Sequence, residues 1–518
     1  ISAGYDHQVG SIIAQQLDRF STRVNLDYWV SERIKIKSDF NLTYTDNNRN
    51  YSNLLGAAYL KMPNMAIYRE DANDRPTGEY YLALQSMPEA LKDQRERINP
   101  IAEANLAKNE YRSYNLSALF QIVYDLLSPD DSGHQLDYEG QVLMTVFNDY
   151  TDKYYPRELS TLAWSEASIN RSEQSSGKSV AFQTRHTLTF TPKFDNEDHF
   201  FTTMARMEIN NGDGSGYGTI SHGLPSGDIT SSTTQGQLEN MWTNQSQWRS
   251  VYFTYQGHYS YKSKYALTLT GRLDGSTKFG AGNRWGFFPS ISGRWNISDE
   301  NWMQWSKKVI SMLAFRPTWG ITGNTGNRAF MQYNKYASDG YYNGHTVVRP
   351  ENLSLTEIRW EKTKQWNLGF KLGLFDEIVT AEFEVYNKKT TDLLMDNLRI
   401  PSANGFSNLD RVNAGTMRNK GWEMNVSTAR IAKVGKFAMK LRGNIAQNFN
   451  EVEEMDPLIL EALNGSEPYQ PGNLSYNQRV QVGNALGSIY GLRYKGVYRY
   501  DYDHNGYTQS SIAAYGYA

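Results

Sequence analysis

The chain has 518 residues, 53 basic and 55 acidic side chains and a net charge of −2, so it carries no polybasic footprint for nucleic acid. Its mean hydropathy is −0.64 and no apolar run approaches the roughly 18 residues of a spanning helix, which excludes a helical membrane protein. A barrel is not excluded, because each strand needs only ~10 residues and half of them face lipid. The length would hold two to four ordinary domains or one long all-β unit. The 36 Tyr and 12 Trp suit the aromatic girdles of an outer-membrane barrel, and equally the packing of a large soluble β protein. With no cysteine there are neither disulfides nor thiolate metal sites. The opening ISAGYDHQVG has neither a basic n-region nor an apolar h-region, so the expectation is a cleaved leader or an absent N-terminal part.

In chain order, residues 17 to 44 predict a first hairpin. Val24, Leu26 and Tyr28 alternate with Arg23, Asn25 and Asp27; after a VSER turn, Ile34, Ile36, Phe40 and Leu42 alternate with Lys35, Lys37, Asp39 and Asn41. Lysines on an inner face suit a wet lumen and not a dry core. Residues 45 to 109 read as a long polar stretch, functional or wrongly assigned if structureless. Strands near 110–123 and 134–147 follow around an SPDDSG turn. A polar segment at 148–180 leads to strands around Leu188 and Phe190 and from Phe201 to Ile209, joined by PKFDNED. NNGDGSGYG and a Ser/Thr/Gly/Gln-rich stretch to about 250 read as another loop, before VYFTYQGHYSY and a tight YKSK turn.

Residues 264 to 324 form three strands in a row. Tyr265, Leu267, Leu269 and Leu273 alternate with Ala266, Thr268, Thr270 and Arg272, then come Ile291, Trp295 and Ile297, and then Leu313, Phe315, Trp319 and Ile321. Pro317 puts the local ladder in doubt, since proline cannot donate to it. A Tyr/Asn/Gly loop runs to about 358, the FDEI turn is short, 389–418 is long, ARIAKVGK is short and 450–486 is long. Trp366, Leu368, Phe370, Leu372 and Leu374 alternate with Asn367, Gly369, Lys371 and Gly373; Phe437, Met439, Leu441 and Ile445 alternate with Lys440, Arg442 and Asn444. This template counts roughly fifteen strands. Short turns alternating with long loops are the asymmetry of a transmembrane barrel, and a soluble sandwich has no reason to keep it.

The runs RLDGSTKFG, NRWGFFPSIS, ISDENWM and RPTWGITGN, in that order, resemble the SusC/RagA family of TonB-dependent outer-membrane transporters. The resemblance continues through Trp360 and Glu361, WNLGFKLGLF, YNKKTTDLLM, IPSANGF and NKGWE, and is strong from about 255 to 430. It implies an all-β fold, a large antiparallel transmembrane β-barrel in the outer membrane. The family has 22 strands around an N-terminal plug, so residues 1–518 would be a partial barrel domain, with the plug, the TonB-contacting segment and the last strands absent. It further implies active import of oligosaccharides or peptides, a SusD-like lid lipoprotein over the mouth, work from the TonB complex, contact with outer-membrane lipid and room for a dimer of the transporter–lid pair. A passive porin-like channel and a soluble all-β carbohydrate-binding protein stay as alternatives.

No catalytic signature is present: there is no HExxH pair, no GxSxG elbow and no His spacing suited to a metal, and no cofactor is implied. Glu451, Glu453, Glu454 and Asp456 read as a solvated outer loop. Asp501, Asp503, Asn505 and Gly506 occupy the first positions of a calcium-loop pattern, but Ile512 stands where a bidentate carboxylate is required, which favours a plain polar turn. GAGN and GDGSG read as hairpin loops. Substrate contact is expected from loop aromatics: Trp242 and Trp248 in one loop, Tyr333, Tyr336, Tyr341 and Tyr342 in another. Their flat faces and polar tips suit sugars or peptides, and would suit an interfacial girdle as well.

Overall fold

The structure is a computed structural model that describes all residues except 83–97, 129, 131–132, 160–169, 225–235, 327, 430–431, 435–436, 465–476 and 492–518. Its main element is a 15-stranded antiparallel sheet in which every strand pairs with its neighbour in the chain. The strands are β1 (Ser2–Val9), β2 (Gln16–Trp29), β3 (Ile34–Asn48), β4 (Lys108–Leu127), β5 (Gln135–Tyr155), β6 (Arg171–Thr191), β7 (His199–His222) and β8 (Gln237–Tyr261). They continue as β9 (Tyr265–Ser276), β10 (Trp285–Asn296), β11 (Ile310–Asn324), β12 (Glu361–Leu374), β13 (Val379–Thr391), β14 (Gly415–Thr428) and β15 (Arg442–Met455). No described helix is long and apolar enough to cross a membrane, which says nothing of strands.

The period-two pattern sorts the sheet into two faces. On one, cross-strand pairing lines up Leu269, Ile291, Trp319 and Trp366 in a row, and all four are about half exposed, at 51%, 40%, 44% and 39%. Phe315 pairs with Phe370, which pairs with Phe383. An exposed apolar band this continuous belongs in lipid. Its height agrees: along β9, ten residues separate Tyr265, paired with Trp295, from Gly275, paired with Trp285. At ~3.3 Å per residue and a tilt of ~40°, the two aromatic levels stand roughly 25 Å apart, the height of a barrel's lipid band. At the short-turn end, ring contacts join Tyr261 to Tyr265 and Tyr265 to Trp295. The Tyr265 hydroxyl and the Trp295 indole both donate to Glu300, the indole at 3.0 Å. Those two bonds, the tyrosine's first, hold the Glu300 carboxyl below its usual pKa.

The opposite face is polar and paired. Arg185 donates to Glu208 at 3.0 Å and to Gln141 at 3.2 Å, while Gln183 donates to Glu208 at 2.8 Å. Arg316 reaches Glu384 at 3.4 Å, and Lys371 reaches Glu382 at 3.4 Å. Lys35 pairs with Asp27 at 2.7 Å. Fifteen strands agree with the sequence reading, and so does Pro317. The β10–β11 register runs without a break from Ser290 to Ser292 and resumes at Trp295, skipping Gly293 and Arg294 opposite Pro317 and Arg316. A Cβ on Gly293 would stand 3.3 Å from the proline ring, so the glycine leaves the ring its space. The other side of β11 pairs with β12 through Pro317 without interruption.

Several expectations are corrected. The N-terminal strand β1 was not anticipated. Segments 148–180 and 210–250, read as loops, are largely strand, because β5 to β8 run well past the lipid band and there neither face needs to be apolar. The 45–109 stretch carries two short helices, α1 (Leu54–Leu60) and α2 (Pro100–Leu106), with Asn53 and Asn99 as side-chain N-caps. GDGSG lies inside β7, and Glu451, Glu453 and Glu454 lie in β15, where Glu453 pairs with Lys389 at 2.9 Å and with Arg418. The ARIAKVGK connection folds a small hairpin, 432–434 with 437–439, before β15. The strict alternation of connection lengths also fails at three places: 10–15 and 277–284 are short among the long loops, and 297–309, wound into 3₁₀ turns, is long among the short ones.

Candidate functional site

The long-loop end of the sheet is where side chains converge. Phe279 from RLDGSTKFG, Phe288 from NRWGFFPSIS and Trp360 meet Met331 and Ile358 in a buried cluster. Ring centroids lie 4.9 Å apart for Phe279–Trp360 and 5.4 Å for Phe288–Trp360, and the Trp360 indole donates to the Arg284 carbonyl at 3.3 Å. Gly323, from RPTWGITGN, lies directly under Phe288: a Cβ there would come within 2.1 Å of the ring. The motif residues thus weld the 325–360 loop to the polar face of β9 to β11. Below the weld, Thr270, Arg272, Ser290, Thr318, Thr322 and Gln365 line, together with Phe288 and Ile321, a groove of about 550 Å³.

A second weld joins the 325–335 and 392–414 loops. Arg411 donates to Asp396 at 2.5 and 2.9 Å; Arg328 lies 3.5 Å from Asp396 and 3.7 Å from Asp410; Lys335 lies 3.8 Å from Asp410. The Arg411 hydrogen bonds hold the Asp396 carboxyl below its usual pKa. Beside this cluster Lys278 donates to the Gly326 carbonyl at 2.8 Å, with its ammonium 5.7 Å from the Trp248 ring. Burial, helped by the Arg411 charge, pushes the Lys278 pKa down.

The six aromatics expected to bind substrate fall into two separate groups. Trp242 and Trp248 are strand residues of β8, not loop residues. Being even-numbered, like Ser250 and Thr254, they stand on the polar face, while odd-numbered Phe253 and Tyr255 stand on the apolar one. Their indoles lie back across β7: Trp242 pairs with Gly218, Trp248 with Gly212, and Asn244 and Ser246 with Gly216 and Gly214 between them. A Cβ on Gly212 would meet the Trp248 ring at 2.4 Å and one on Gly218 the Trp242 ring at 2.6 Å. Each tryptophan thus needs its glycine. The second group is the hairpin of strands 336–342 and 345–350, which bears Tyr336, Tyr341 and Tyr342, all well exposed, with Tyr333 in the loop before it. The glycine row was missed although GDGSGYG spells out a period of two, because a strand of glycines offers no apolar signal. Asp501, Asp503 and Asn505 lie outside the described residues.

Two-faced strands, a lipid-height apolar band and an ion-paired inner face define the wall of a transmembrane β-barrel. Residues 37–518 match the family model for the TonB dependent receptor-like, beta-barrel domain, and the chain belongs to that family. As a member of that family the chain resides in the outer membrane. It is 26% identical over 525 residues to TonB-dependent receptor P39 of Formosa agariphila, covering 99% of this chain and 45% of that protein. It is 33% identical over 276 residues to TonB-dependent receptor SusC of Bacteroides thetaiotaomicron, covering 50% of this chain and 26% of that one. The chain thus spans about half the length, or less, of the curated relatives it matches. Among solved structures, the RagAB peptide importer in its closed-closed state superposes with a TM-score of 0.74 at 19% identity, over 96% of this chain and 54% of that one. In this setting the short turns face the periplasm and the long loops face outward.

Proposed function

We propose that this chain is the barrel portion of an energised outer-membrane importer for oligosaccharides or peptides, working with a SusD-like lid lipoprotein and the TonB complex. The observation that carries the reading is the ion-paired polar face of β3 to β13, which suits a water-filled path for solute and not a dry core. A barrel of this family is wide enough to need blocking at rest, so opening it takes work from elsewhere. The strands are scaffold and lumen wall, with no catalytic task. Trp242 and Trp248, above the lipid band on the lumen face, are the residues we assign to cargo; the exposed Tyr336, Tyr341 and Tyr342 hairpin projects outward, where a lid would rest. The apolar band removes the basis for a soluble all-β carbohydrate-binding protein.

The test is mass spectrometry of the complex extracted in detergent from native outer membranes through a tag on this chain, together with cargo uptake before and after the proton gradient is collapsed. Co-purification of a surface lipoprotein, and uptake that stops with the gradient, are the results expected. Uptake indifferent to the gradient, with no lipoprotein bound, would leave a passive channel.

A further inference from the structure

The upper half of β8 is an open edge. Strand β9 pairs with β8 only as far as Ser250 opposite Ser276, and one more exchange follows: Thr277 N–H donates to the Arg249 carbonyl at 3.0 Å, and Arg249 N–H to the Thr277 hydroxyl at 2.9 Å. Beyond Arg249, β8 continues to Gln237 with β7 on one side. Among the described residues no strand lies on the other. In an antiparallel ladder the N–H and C=O of one residue point to the same side, and alternate residues point to opposite sides. Since Arg249 points toward β9, so do Gln247, Gln245, Thr243 and Met241. Among the described residues, four donor–acceptor pairs thus have no partner strand, at a spacing of roughly 6.6 Å. Residues 237–247 are exposed throughout.

Proteins normally blunt such an edge with lysine, proline or a covering segment. Between Met241 and Trp248 there is no charged residue and no proline. The two largest side chains here, Trp242 and Trp248, are folded back over the β7 glycines, so neither ring covers the open side. We propose that this edge binds cargo: an extended oligopeptide adds to β8 as a further strand, paired through the backbone of residues 241, 243, 245 and 247. The repeat of N–H and C=O at two-residue intervals matches a polypeptide backbone, and a glycan has no such repeat. This rests on the importer reading and narrows its cargo to peptides.

The test uses the full-length receptor in nanodiscs with tryptic casein peptides as the probe, read by hydrogen–deuterium exchange over residues 237–249. Exchange at 241, 243, 245 and 247 is expected to slow at least tenfold when the peptides bind. Gln245→Pro removes one outward N–H and leaves the β7 ladder whole. The variant should bind the same peptides about five- to tenfold more weakly, the worth of one backbone hydrogen bond. Peptides that bind without slowing exchange there, or amides already protected before peptide is added, overturn the proposal even if Gln245→Pro fails to assemble. Uptake of the peptides by cells separates the two levels: gradient-dependent uptake unaltered by Gln245→Pro sinks the edge and spares the importer, and no uptake by the wild type sinks both.

Discussion

Leu269 and Thr270 are neighbours in β9 that the fold sends to opposite solvents. Leu269 lies four residues from the Tyr265 level and six from the Gly275 level, so at ~3.3 Å per residue and a ~40° tilt it sits roughly 10 Å above the lower belt, close to the bilayer midplane. Arginine on the lipid face at that depth costs about 2–4 kcal/mol, whereas a lumen position tolerates it. Leu269→Arg should therefore lower the folded-to-unfolded ratio of the full-length receptor by roughly 30- to 900-fold, at ~1.4 kcal/mol per tenfold. Thr270→Arg, beside Ser290 on the polar face, should change it by less than about threefold, or ~0.7 kcal/mol on the same scale. Urea titration of refolding into phospholipid vesicles, followed by the gel shift between heated and unheated barrel, reads both. Equal losses in the two variants, or a larger loss in Thr270→Arg, would refute the assignment of faces.

Three further outcomes follow from the packing. Gly293→Ala should be tolerated less well beside Pro317 than in a Pro317→Val background, a coupling of ~0.5–3 kcal/mol in a double-mutant cycle by urea titration. Trp360→Ala should cost about 3–5 kcal/mol within the loop weld and speed limited proteolysis in 325–360, leaving the barrel assembled, as the gel shift will report. Because the folded-state pKa of Asp396 is depressed, its contribution is present above the ordinary carboxylate pKa of ~3.9 and is lost as the pH falls through the lower folded value. Amide exchange over 394–413 should therefore be steady from neutral pH down to about 5, after correction for intrinsic rates, and rise only in strong acid; loosening already at pH 6 would contradict the Arg411–Asp396 pairing.

What could be read from the residues depended on lipid. Where a strand crosses the bilayer, one face must be apolar, so Leu267, Leu269 and Leu273, or Trp366, Leu368 and Phe370, announce both the strand and its orientation. Above the bilayer that demand ends. Residues 210–222 and 237–249 keep their ladder, with one bulge between Leu238 and Asn240, while Gly, Ser, Asn and Gln fall on both faces, so alternation has little to mark there. The same reason moved Trp242 and Trp248 from an expected loop onto a strand. Pro317 was legible because a missing N–H is a local fact; Gly293 as its counterpart was not, since the two meet only through register. The family motifs pointed to the fold, but their physical task, packing Phe279 and Phe288 on Trp360 over Gly323, joins residues far apart in the chain. The Arg411–Asp396–Arg328–Asp410 weld has no short-range pattern at all.

These 518 residues contain no cysteine, so labels placed in them report alone once any cysteine elsewhere in the full-length receptor is replaced. Single cysteines placed in turn from 265 to 275 in the full-length receptor, in intact outer membranes, can be offered a membrane-impermeant maleimide and a lipid-soluble one. A barrel wall predicts strict alternation: positions 266, 268, 270 and 272 react with the aqueous reagent, and 267, 269, 271 and 273 only with the lipid-soluble one. Aqueous labelling at 267 and 269, or no alternation, would contradict a lumen behind this sheet and, with it, the importer.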